Sequence, residues 1–379
     1  MLSLSLNVYM VKKLKIGFDA KRLFHNRTGL GNYSRTLVRN LQRLYPEHEY
    51  HLFTPKISHD SEVLYFLDKE KFIIHTYNGK FGSFWRSRGV TKEINAAGID
   101  IYHGLSHEIP LNSHSLDAKT VVTMHDLIFE YYPEQFGLLD RYIYKRKYRY
   151  AAKNADHIVA ISESTKKDLN VLYKVNPSKV SVVYQSCHPA FYNTSKSPQS
   201  CEKYLLYVGS LIERKSFLLI VEAMANISKD KRVKVKVVGR GGLYANRIKS
   251  RISELSLGKY FEFLDHVDNE ALLYIYDNAI AMVYPSIYEG FGIPLIESLY
   301  RDTPVITTTA SSLPEAAGPG AIYIEPNDKI ELTNAIMDIV SNHTLRNELT
   351  QKGKAYVSER YTDEITAKGM MEVYMKMVE

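Results

Sequence analysis

Two glutamates, Glu289 and Glu297, stand eight positions apart in the stretch Glu289-Gly290-Phe291-Gly292-Ile293-Pro294-Leu295-Ile296-Glu297, directly after the apolar run Ile280 to Ser286. The first carboxylate falls in a glycine-rich turn at the end of a buried strand, and the second one turn into the next helix. Pro294 suits the first helical position, where a missing N–H costs nothing. The glycines let backbone approach a ligand closely, and the helix start offers free N–H groups to an anion. A phosphate and a polyhydroxylated sugar can both be held by such a turn. Taken alone, the spacing fits an ordinary strand–turn–helix unit with two surface glutamates equally well.

Other stretches add cations and glycines. Gly209-Ser210-Leu211-Ile212-Glu213-Arg214-Lys215-Ser216 follows an apolar strand. Arginine offers phosphate oxygens a planar fork and lysine a compact charge, so Arg214 and Lys215 can neutralise a diphosphate without a metal ion; the alternative is a pair of solvated surface cations. Gly29-Leu30-Gly31-Asn32-Tyr33-Ser34 opens a helix, but Ala20 to Thr28 separate it from the strand end at Asp19, too far for a dinucleotide fingerprint. It reads as a longer loop that closes over a diphosphate, or as a plain helix cap. His125-Asp126 ends the run Val121 to Met124. Neighbours in a strand diverge, so one of the pair faces a ligand while the other caps a turn, or both are structural. No two aspartates are separated by a single residue, no His-x-x-x-His falls on a helix, and no Gly-x-Ser-x-Gly turn occurs. Metal-assisted and serine-hydrolase chemistry therefore find no motif, and no cofactor is expected.

These groups must be carried by alternating strands and helices. Strands are expected at Leu14–Phe18, Tyr50–Phe53, Phe72–His75, Ile99–His103, Thr120–Met124, His157–Ile161 and Val180–Val183, with helices over 32–44, 138–155 and 164–172. The segment 193–203, with Ser195, Ser197, Pro198 and Ser200, has linker composition. The alternation restarts with strands at Tyr204–Val208, Val233–Val238, Tyr260–Phe263, Ile280–Tyr284 and Val305–Thr308. Helices follow over 329–341, 344–356 and 363–377, the last with a methionine-rich face suited to filling a core groove. The pattern defines an α/β protein of two Rossmann-like parallel-sheet domains, residues 1–192 and 204–362, facing across a cleft at the carboxyl ends of their strands. Residues 1–9 read as an extension outside the fold. Helix 363–379 is expected to return to the N-terminal domain.

The 379 residues suffice for two such domains. Cys187 and Cys201 give no disulfide framework or metal-ligand spacing, which fits a cytoplasmic setting. The net charge of +7 is uneven: residues 1–190 carry +9 and residues 191–379 carry −2. A basic N-terminal half suits an anionic partner, whether lipid headgroups, a lipid-linked diphosphate or nucleic acid, or simply a solvated surface. No run approaches the ~20 apolar residues of a membrane span. Arg141, Lys145, Arg146, Lys147, Arg149 and Lys153 alternate with Tyr142, Tyr144, Tyr148 and Tyr150. That helix reads first as tyrosine-lined packing with a wet basic side, and second as a surface for a membrane or an acidic acceptor.

Tyr207-Val208-Gly209-Ser210-Leu211 with Arg214-Lys215, the stretch Tyr284 to Glu297, Thr303-Pro304-Val305 and Ser311-Ser312-Leu313-Pro314-Glu315 together resemble the glycosyltransferases of family four. Thr28 to Tyr33, His125-Asp126-Leu127 and Ile161 to Thr165 are also similar, so the likeness runs from about Leu14 to the C-terminus. It is strongest over 204–326, and its flavour is that of bacterial mannosyltransferases building surface polysaccharide. The resemblance implies the GT-B fold, an N-terminal acceptor-side domain, a C-terminal donor domain, and metal-independent hexosyl transfer with retained configuration. By it, Glu289 holds donor-sugar hydroxyls, Glu297 the ribose, and Gly290, Phe291, Gly292 and Ile293 offer backbone N–H groups. Arg214 and Lys215 bind the diphosphate, Gly29 and Gly31 approach it from the other domain, His125 contacts the transferred sugar, and Leu264 and Val267 line the base. The implied partners are a nucleotide diphosphate sugar, guanosine-linked mannose leading, and a saccharide or lipid-linked saccharide acceptor at the inner membrane face, with peripheral membrane contact through the basic half and no nucleic acid. One departure is that Tyr300-Arg301-Asp302 replaces the small residues and glycine usual there, which touches helix termination more than chemistry. Three other functions fit parts of the pattern: a glycoside hydrolase using both glutamates, a nucleotide-sugar epimerase of the same fold, and a non-enzymatic scaffold for anionic polymers.

Overall fold

A computed structural model describes residues 12–192, 195–198, 200, 202–265 and 267–379. The extension at 1–9, Cys201 and His266 lie outside the described residues. The apolar runs form thirteen strands among these residues. The first seven are β1 Lys15–Asp19, β2 Glu49–Thr54, β3 Ile73–Thr76, β4 Ile101–Gly104, β5 Lys119–Met124, β6 His157–Ala160 and β7 Val180–Val182. The other six are β8 Tyr204–Val208, β9 Lys234–Val238, β10 Phe261–Leu264, β11 Ala281–Tyr284, β12 Val305–Thr308 and β13 Ala321–Ile324. One sheet runs β3-β2-β1-β4-β5-β6-β7 and the other β10-β9-β8-β11-β12-β13. The pairs β1–β2, β1–β4, β8–β9 and β8–β11 are all parallel. Two Rossmann-like parallel sheets with crossover helices are thus present. In each, strand order reverses at one place, β1/β4 and β8/β11, where open sheets of this kind bind ligands beyond their carboxyl ends.

Continuous apolar strands are what a sheet covered on both faces requires. Ile16, Phe18, Leu205, Leu206, Met282 and Val283 are wholly buried, each worth roughly 1.5–3 kcal/mol of transfer free energy. Contacts group the chain into two compact units, one of residues up to Thr123 with Lys145–Val159 and Ala367–Glu379, the other of Met124–Tyr144 and Ala160–Thr366. Residues 124–144 and 160–192 therefore pack with the second unit, although they precede the segment read as a linker. That segment is itself held: the Ser197 N–H donates to Asp277 Oδ2 at 2.8 Å, the Ser200 N–H to Asn278 Oδ1 at 2.6 Å, and Lys196 pairs with Asp302 at 2.8 Å.

The part of the helix Asp363–Val378 that belongs to the first unit, from Ala367 on, buries Ala367, Met370, Met371 and Tyr374. The Tyr374 hydroxyl lies 2.6 Å from His103 Nδ1, His103 Nε2 lies 2.8 Å from Thr123 Oγ1, and the Tyr33 hydroxyl reaches that same oxygen at 2.9 Å. The chain end is thereby tied to β4 and β5 by polar groups that burial makes costly to leave unpaired.

Candidate active site

The second sheet's reversal point assembles the site. Beyond β8, Arg214 and Lys215 lie in the short turn Glu213–Lys215, and beyond β11 the chain turns through Tyr284 to Gly292. Glu289 Oε1 receives four groups: Arg214 Nη1 at 2.9 Å, Lys215 Nζ at 2.9 Å, the Tyr284 hydroxyl at 3.0 Å and Ser286 Oγ at 2.8 Å. Glu289 is 9% exposed and Arg214 7%, so these are neither surface glutamate nor solvated cation. Burial alone would raise the Glu289 pKa; Lys215 and Arg214 overcome it and hold the carboxyl down at about 2. Arg214 also donates to the Tyr288 carbonyl. Burial works against its charge, and Glu289 more than compensates, keeping its pKa above the ordinary value. Its Nε is buried with no partner among the described residues. Lys215 sits over the Tyr284 ring, 4.7 Å from its centre.

The turn that carries Glu289 is braced on all sides. The Glu289 N–H donates to Ser311 Oγ at 2.8 Å, and Ser312 Oγ donates to the Glu289 and Phe291 carbonyls at 2.9 Å each. Ser162 Oγ donates to the Gly290 carbonyl at 2.8 Å, and Thr165 Oγ1 to the His125 carbonyl at 3.2 Å. A Cβ on Gly290 would lie 2.2 Å from the His125 carbonyl oxygen, so only glycine allows these two peptides to touch. Gly292 has φ +115°, a backbone state that side chains resist, and it precedes the helix Ile293–Tyr300 with Pro294 in its first turn. The Phe291 ring is buried, stacked on Tyr184 at 5.6 Å. Among the described residues, the N–H groups of Gly290, Phe291, Gly292 and Ile293 meet no protein acceptor. Four consecutive unpaired donors beside a helix N-terminus make a receptor for anionic or hydroxyl oxygens. One turn on, Glu297 accepts from the Tyr276 hydroxyl at 3.1 Å, and burial pushes its pKa up to about 7.

The remaining sequence candidates fall as follows. His125 is 4% exposed and lies against Gly290 through its backbone. Its neighbour Asp126 accepts from the Ile128 N–H at 3.0 Å, the turn-capping half of the pair. Leu264 ends β10 at the sheet edge, and Val267 precedes the helix Asn269–Asp277. Gly29 and Gly31 lie in the first unit, inside the first turn of the helix Gly29–Leu44 rather than in a loop before it. A Cβ on Gly31 would meet the Asn26 carbonyl oxygen at 1.7 Å, and Arg35 donates to that same oxygen at 2.8 Å. Close packing of the preceding turn thus accounts for a glycine at 31 without any ligand. At the departure from the family pattern, Asp302 takes the left-handed position (φ +60°) after the helix, and buried Arg301 pairs with Asp277 at 2.6 Å. Termination is therefore achieved without glycine.

Sequence reasoning missed the partners of Tyr288. Asp168, 7% exposed on the helix Glu163–Tyr173, accepts from the Tyr288 hydroxyl at one oxygen and from the Tyr131 hydroxyl at the other, 2.7 Å away. Glu315, singled out in the sequence only as part of a motif, accepts from the Glu163 and Ser164 N–H groups at 2.7 and 2.9 Å and so caps that helix. The aspartate inside Ser162-Glu163-Ser164-Thr165-Lys166-Lys167-Asp168 was the one available signal. Among the described residues, no cluster of three His, Cys, Asp or Glu could hold a metal ion, and no helix is long and apolar enough to cross a membrane.

A two-sheet architecture whose second reversal point presents paired cations, a buried carboxylate and unpaired N–H groups defines a GT-B-type transferase scaffold. Comparison with known proteins agrees. The family model for glycosyl transferases group 1 matches residues 192–356, and that for glycosyltransferase family 4 matches residues 27–189. The chain is 24% identical over 380 aligned positions to O-antigen chain mannosyltransferase B of Escherichia coli, covering 91% of this chain and 96% of that one. It is 31% identical to the O-antigen chain mannosyltransferase RfbU of Salmonella typhimurium, over 62% of this chain and 63% of that one. Anabaena HepE, solved with UDP and glucose, superposes with a TM-score of 0.72 at 15% identity over 96% of this chain and 99% of that one. The chain belongs to the family-four, group 1 glycosyltransferases.

Proposed function

We propose that this glycosyltransferase moves a hexose from a nucleotide diphosphate donor to a glycan or lipid-linked saccharide in surface polysaccharide synthesis, with retention and without a metal ion. The observation that carries this reading is the convergence of Arg214, Lys215 and the free N–H groups of Gly290 to Ile293 around Glu289. Mannose is the leading sugar on the strength of the relatives' names, and guanosine is the base that the family resemblance implies for it. In the reaction, the bond from the anomeric carbon to the diphosphate oxygen breaks and its electron pair stays on the diphosphate. The acceptor hydroxyl oxygen bonds to that carbon, and its proton passes to the leaving phosphate. Negative charge grows on the diphosphate, where fixed cations and backbone dipoles stabilise it without reorganising. Lys215, Arg214 and the turn's N–H groups take that role; Glu289, held ionised, accepts donor-sugar hydroxyls, His125 borders the transferred hexose, and Glu297 takes the ribose, with Leu264 and Val267 beside the base.

The helix Leu138–Asn154 supports peripheral contact with the inner membrane face. Leu138, Leu139 and Tyr142 are 82%, 71% and 65% exposed at its start, and exposed Lys145, Arg146, Arg149 and Lys153 follow on the same side. The test of function is a panel of nucleotide sugars incubated with a mannose-terminated acceptor and read by mass. The expected result is a product one hexose heavier, and Lys215→Ala should lower turnover by at least ~100-fold while folding normally, as for loss of one preorganised donor. Isomerised donor with no acceptor product would point to epimerisation, and near-normal turnover in the variant would remove Lys215 from the diphosphate.

A further inference from the structure

The segment 124–144 brings to the donor turn a group of aromatic side chains that donor binding does not use. Tyr131 closes the short helix Ile128–Tyr131, and its ring is 42% exposed. It lies 5.1 Å from the Tyr288 ring, tilted by 39°, while the Tyr132 ring meets Tyr288 edge-on at 5.9 Å. An exposed tyrosine ordinarily swings through several rotamers. Here the Tyr131 hydroxyl is fixed on Asp168 Oδ1 at 2.7 Å, and Tyr288 occupies the other oxygen of the same carboxylate. Asp168 makes no ion pair with a cation among the described residues, so the two phenols are its partners. The Tyr288 carbonyl in turn accepts from Arg214, and the next residue is Glu289. A carboxylate buried mid-helix thus fixes a part-exposed ring against Tyr288, the residue that precedes Glu289.

A hexose has one face of C–H bonds and a rim of hydroxyls. The C–H face suits the electron-rich face of an aromatic ring, while the rim suits phenols and carboxylates. A ring locked before binding loses less freedom when the sugar arrives. We propose that Tyr131 and Tyr132 are the platform on which the acceptor hexose stacks, positioned by Asp168 and Tyr288 so that its hydroxyl faces the donor held at Glu289. The inference rests on the glycosyl-transfer reading and assigns that reading's acceptor subsite.

The test uses the full chain, methyl α-mannopyranoside as the acceptor probe in saturation-transfer NMR, and GDP and UDP affinity as the control. Tyr131→Ala and Tyr132→Ala should each weaken probe binding about fivefold, the size of one ring contact, and the double variant should lose the signal. Nucleotide affinity should stay within about twofold, since Arg214 and Lys215 keep their contacts with Glu289 in both variants. Tyr131→Phe keeps the ring and drops the bond that positions it on Asp168, so its affinity should fall between those of the wild type and Tyr131→Ala. An unchanged signal in the double variant, no signal from the wild type, or parallel loss of probe and nucleotide binding would each overturn the platform. If the wild type binds no nucleotide at all, the underlying transferase reading fails instead.

Discussion

Both sheets place a buried ion-pair network beyond the point where strand order reverses, and the two networks are balanced differently. In the first unit Arg86 grips Asp19 at the end of β1, with Nη2 at 2.6 Å and Nε at 2.8 and 3.0 Å. Its Nη1 reaches Glu108, which follows β4, at 2.9 Å, and Lys147 closes on the same Glu108 oxygen at 2.8 Å. Two carboxylates meet two cations. Burial works against the charge on Arg86, and Asp19 and Glu108 reverse this, raising its pKa; burial likewise opposes ionised Glu108, which Arg86 and Lys147 hold below the ordinary carboxylate range. In the second unit a single ion-paired carboxylate, Glu289, faces Arg214 and Lys215, one guanidinium nitrogen is unpaired, and four backbone donors stand open. Unmatched buried charge and donors cost several kcal/mol unless something satisfies them. The first arrangement is a staple between chain segments; the second is a receptor built for an anion.

The comparison breaks if the staple proves dispensable. Arg86→Met leaves Asp19 and Glu108 without their shared cation and should cost about 3–5 kcal/mol in denaturant unfolding, the usual penalty for removing one partner of a buried pair. Loss below ~1 kcal/mol, within the range of exposed pairs, would show that the network is not a staple.

A smaller effect sharpens the receptor. The folded-state pKa of Glu297 is raised to about 7 by burial. A raised carboxyl favours folding below its unfolded pKa, and that contribution fades as pH climbs through the folded value. Because ribose hydroxyls are held better by the ionised form, nucleotide affinity should rise between pH 6 and 8 by roughly three- to tenfold, with Glu297→Gln flattening the curve. A wild-type affinity flat across that window would remove Glu297 from the ribose.

Twelve strands, the Glu289 turn and the Glu289–Glu297 spacing were legible because they are local: apolar runs, turn residues and a proline at a helix start; the short, half-buried β13 and the helical setting of Gly29 and Gly31 were not. Arg214 and Lys215 were legible as cations after a strand, but not their convergence on one oxygen of Glu289, which needs β8 and β11 to be neighbours. The Asp168–Tyr288 bond joins residues far apart in the chain, and no periodicity announces it. Gly31 shows the opposite hazard: a glycine beside a helix start invites a phosphate, yet the Asn26 carbonyl already demands the missing side chain. The grouping of residues 124–144 and 160–192 with the second unit comes from long-range packing, which composition does not carry, while the segment 193–203 falls in the chain between the last strand of one sheet and the first of the other.

The claim that Arg214, Lys215 and the open N–H groups at β8/β11 serve a diphosphate is tested most directly by titrating GDP and UDP calorimetrically into wild type, Lys215→Ala and Lys147→Ala. Removing Lys215 should weaken binding by at least ~tenfold, the size of one charge-assisted contact, while removing Lys147 from the balanced network leaves it within about twofold. Equal affinity in all three proteins, or equal loss in both variants, would contradict it.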